Sequence, residues 1–68
     1  MEVREILSNA FGVVRVRMAG AAGVAPWQAV EHARRAASNA ARAPVEFLYS
    51  VDGPDGSAQD FLFSGPRR

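Results

Sequence analysis

A chain of 68 residues supports one compact domain, because at this size folding buries only roughly 60% of the surface that the unfolded form exposes. It holds no cysteine, which excludes a disulfide framework, a thiolate nucleophile and a soft zinc site. Eight arginines against seven acids leave a net charge of +1, too little for a whole-molecule pull on nucleic acid or an anionic membrane.

Every basic side chain is an arginine, and with heavy alanine and glycine use this composition fits a GC-rich coding sequence as readily as a function. Arg15 and Arg17 interrupt the longest hydrophobic run, so no stretch approaches the roughly 20 apolar residues of a membrane span. Glu2 and Glu5 stand where a secretory signal would be basic. The expectation is a cytoplasmic protein with no membrane partner. Of the usual supports for a small core, only a partner subunit fits without cysteines or a metal motif.

In chain order, residues 2–7 suit a strand or a short helix. Val3, Ile6 and Leu7 fit a helix, but the turn formers from Ser8 to Gly12 favour a strand leading into a hairpin. From Val13 to Met18 the residues alternate, with Val14, Val16 and Met18 on one side and Val13, Arg15 and Arg17 on the other, the period of a half-buried strand. Gly20-Ala21-Ala22-Gly23 reads as a connector; no Gly-Lys-Ser/Thr follows it, and that absence argues against a phosphate-binding loop.

Pro26 suits the first position of a helix, and Gln28 sits where a capping side chain would reach back. At about 100° per residue, Trp27, Ala29, Val30, Ala33, Ala36, Ala37, Ala40 and Ala41 share one half of the helix. Gln28, Glu31, His32, Arg35, Ser38, Asn39 and Arg42 occupy the other, with Arg34 at the margin. Pro44 stops the helix by disfavouring helical geometry at Ala43. Val45 to Val51 then predicts a strand with Val45, Phe47, Tyr49 and Val51 on one face. Turn chemistry from Asp52 to Gly56 leads to a return strand over Gln59 to Ser64, with Phe61 and Phe63 together. The tail from Gly65 to Arg68 is expected to fray.

The fold class is therefore α+β over residues 1–68 as a single domain: a small antiparallel sheet of three or four strands with one helix packed on one face, in the order β(or α)-β-α-β-β. The alanine face brings the helix close to a layer of Phe47, Tyr49, Phe61 and Phe63, with Trp27 plugging one end. Val13, Leu48 and Leu62 then face away among Arg15, Arg17, Glu46, Asp60 and Ser64. An apolar patch rimmed by charge on a small protein marks an interface.

The chemistry-bearing residues form no catalytic pattern. His32, the lone histidine, stands on the polar helix face with nothing at metal-ligand spacing. Asp52, Asp55 and Asp60 bracket a loop, but without the spacing and closing glutamate of an EF-hand. Glu31 is placed to pair with Arg34 and Arg35 at i+3 and i+4. No cofactor, metal or catalytic residue is expected.

The function expected from this reading is a non-enzymatic protein-interaction or regulatory module that docks on a protein partner or on itself as a homodimer. Its candidate interaction residues are Val13, Arg15, Arg17, Leu48, Leu62, Arg34 and Arg35. One form of it is an inhibitor of the kind carried by phages or mobile elements, which occludes a larger complex. Two alternatives are a nucleic-acid-backbone binder using Arg15, Arg17 and the helix arginines, and an enzyme with a site shared between subunits that uses His32 or Tyr49.

Overall fold

The computed structural model describes residues 1–53 and 58–65. Four strands and one helix follow in the order β1 (Glu2–Ser8), β2 (Val13–Ala19), α1 (Pro26–Ala41), β3 (Glu46–Asp52) and β4 (Ala58–Ser64), with a single 3-10 turn, Ala21–Gly23, ahead of the helix. The strands form one sheet in the order β1-β2-β4-β3, every neighbour antiparallel. The helix lies on one face of this sheet, so the α+β architecture read from the sequence is the one observed, with residues 2–8 a strand.

Each hairpin has a local cause. At the first turn Asn9 Oδ1 accepts from the amides of Phe11 and Val13 at 2.9 and 3.1 Å, and Gly12 adopts φ 81°, a conformation that side chains with a Cβ resist. The second hairpin is closed by the Gly53 amide donating to the Ala58 carbonyl at 2.7 Å. The remainder of its expected turn, including Asp55, and the tail beyond Gly65 lie outside the described residues.

The helix begins at Pro26, which lacks the N–H that a first turn leaves unpaired. Its N-cap is Ala25, with no side-chain cap, so Gln28 does not play the capping role its position suggested. At the other end the amides of Arg42 and Ala43 both donate to the Ser38 carbonyl, while Ser38 Oγ donates to the Ala43 carbonyl at 2.8 Å. Arg42 takes the left-handed conformation, φ 57°, that terminates many helices.

The core lies between α1 and the inner sheet face. Val14, Val16 and Met18 of β2 and Phe61 and Phe63 of β4 meet Ala29, Ala33 and Ala37, with Val45 and Ala21 closing the ends. Because β2 and β4 are the two central strands, their alternating residues are buried as the sequence period requires. Alanine at the three inward helix positions allows the close approach.

Two expectations about the core are corrected. Trp27 is no plug: it is 70% exposed, because at about 100° per residue it stands about 120° around the helix from the middle of the buried Ala29, Ala33 and Ala37 stripe. Tyr49 and Val51 do not join Phe47 on the helix side. A bulge in β3 shifts the register between Phe47 and Tyr49, so that Phe47 faces Phe63 but Tyr49 faces Leu62 and Val51 faces Asp60. Paired residues share a face, which puts Tyr49 and Val51 on the outer face. Phe47 stays on the inner side against Phe61 and Phe63, with ring centroids at 6.4 and 5.6 Å.

Candidate interaction surface on the outer sheet face and the β3 edge

No side chain of α1 covers the outer face, and its layout follows from the register. Across the middle run Glu5, Arg17, Asp60 and Val51; one row over run Leu7, Arg15, Leu62 and Tyr49; next come Val13, Ser64 and Glu46. A second bulge, between Val3 and Glu5, is what places Glu5 and Leu7 here while Val3 and Ile6 face the helix side. The apolar spacing of Val3 and Ile6, which resembled a helix in the sequence, is the mark of that bulge.

The charged row is internally neutralised. Arg17 donates to both carboxylate oxygens of Asp60, Nε to Oδ1 at 2.8 Å and Nη2 to Oδ2 at 3.1 Å. Arg15 approaches Asp60 at 4.0 Å and donates to Glu5 at 3.2 Å. Asp60 is only 6% exposed although α1 lies on the other face of the sheet, with the guanidinium groups of Arg17 and Arg15 within 4.0 Å of its carboxylate. Hydrogen bonding from Arg17 holds its carboxyl below the ordinary 3.8; partial burial opposes this, and the charges of Arg17 and Arg15 assist.

Beside this row lies an apolar stretch. Leu7, Val13 and Leu62, with Ser8, Asn9 and the Arg15 stem, line a shallow depression. It continues onto β3, an edge strand on which Leu48, Tyr49 and Val51 are 47%, 54% and 45% exposed, and Phe47 on the inner side is 41% exposed. Half of an edge strand's backbone N–H and C=O groups have no ladder partner.

The predicted site residues fall into two separate groups. Val13, Arg15, Arg17 and Leu62 share the outer face, and Leu48 stands at the adjoining β3 bulge. Arg34 and Arg35 are on α1, across the sheet from them, and both are bound to Glu31. Arg34's hydrogen bond, against an opposing desolvation, holds the Glu31 carboxyl below its ordinary value, and Glu31 raises Arg34 in return. The expected pairing of the helix charges is therefore present, and these two arginines do not belong to the outer surface.

Leu7, Tyr49 and Val51 are surface residues the sequence did not single out. Strict alternation assigned Tyr49 and Val51 to the core, and only the bulge reverses them. His32 is exposed on α1 beside Trp27 and Glu31. Among the described residues no group of three or more His, Cys, Asp or Glu is placed to hold a metal ion, and no helix is long and apolar enough to cross a membrane. No protein-family model, curated protein or solved structure matches the chain.

Proposed function

We propose that this chain is a non-enzymatic interaction module that docks on a protein through the β3 edge and the apolar stretch of the outer face beside it. The observation that carries the reading is the run of large apolar side chains left exposed on one edge strand, Phe47, Leu48, Tyr49 and Val51. Such a run on an edge strand is a template for strand addition or face-to-face docking. A domain of this size that occludes a larger machine, as small inhibitors and regulators do, would act through such a surface.

The ion pairs support protein docking over nucleic-acid binding. Arg15 and Arg17 are engaged by Glu5 and Asp60, and Arg34 and Arg35 by Glu31; an arginine held by a carboxylate displaces few phosphate counterions. The test is quantitative recovery of the native partner on immobilised wild-type chain and on a Tyr49→Lys/Val51→Lys variant, with folding of both checked by circular dichroism. Loss of the partner from the variant, with wild-type binding little changed between low and moderate salt, is expected. Equal recovery on both, or wild-type binding that collapses with salt, overturns the proposal.

A further inference from the structure

We draw no further inference here: the strongest candidate, the exposed apolar run of Phe47, Leu48, Tyr49 and Val51 on the β3 edge strand, belongs to the surface already described, and nothing in the structure shows what covers it.

Discussion

Asp60 shows how one residue can be buried on the sheet face that the helix leaves open. A carboxylate taken out of water needs charged partners, and Arg17 and Arg15 supply them from the neighbouring strand. Its folded-state value is lowered, so its contribution to stability is whole above the ordinary 3.8 and is lost as pH falls through the lower folded value. Replacing it, Asp60→Asn, should cost about 1.5 kcal/mol at neutral pH, the low end for a hydrogen bond between charged groups because the Arg17 side chain is partly exposed. The gap between wild type and variant in urea unfolding should narrow as pH drops below that ordinary value. A gap that stays constant into acid would mean that the pair does not form.

At the scale of elements, the alanine stripe of α1 sets how closely two layers meet. Ala33 and Ala37 are fully buried opposite β2 and β4, and a helix seated this closely has no room for a longer side chain. Ala33→Leu should therefore destabilise by about 1–3 kcal/mol, even though leucine is both more apolar and a good helix former; a stabilised variant in chemical denaturation would show a looser interface than the one described. This stripe was legible in the sequence, as were the alternation of β2, the Phe61 and Phe63 pair of β4 and the first hairpin turn. In each of these the residue period matches the burial period. What was not legible traces to two inserted residues. Near Arg4 and near Leu48 the edge strands bulge, and beyond each bulge every side chain changes face. A strictly alternating reading of Phe47, Tyr49 and Val51 has no means of registering that shift, so the larger part of the interaction surface was assigned to the core. Trp27 was misplaced for another reason: a full half of the helix was assigned to the core, whereas only the narrower arc of Ala29, Ala33 and Ala37 is buried and Trp27 stands outside it.

For the whole molecule the consequence is a core with very few large side chains. Moving Tyr49, Val51 and Trp27 outside leaves Phe61, Phe63 and Met18 as the large side chains fully or nearly fully buried. A single core in a chain this short supplies about 3–5 kcal/mol, and Phe63→Ala removes about 3–5 kcal/mol in transfer and cavity terms. That one change should leave the chain largely unfolded at room temperature, seen as collapse of amide NMR dispersion. Trp27→Ala, on a side chain that water already surrounds, should alter stability by less than about 0.5 kcal/mol, although Trp27 is by far the bulkier residue. The contrast separates two pictures of the molecule: if Trp27→Ala proves as damaging as Phe63→Ala, the tryptophan is packed and the helix sits differently on the sheet. If the order is as expected, the fold keeps little apolar surface for itself and leaves Phe47, Leu48, Tyr49 and Val51 exposed beside one another. Binding at that edge would then raise a small stability by a large fraction, since occupancy at a hundred times the dissociation constant adds about 2.7 kcal/mol.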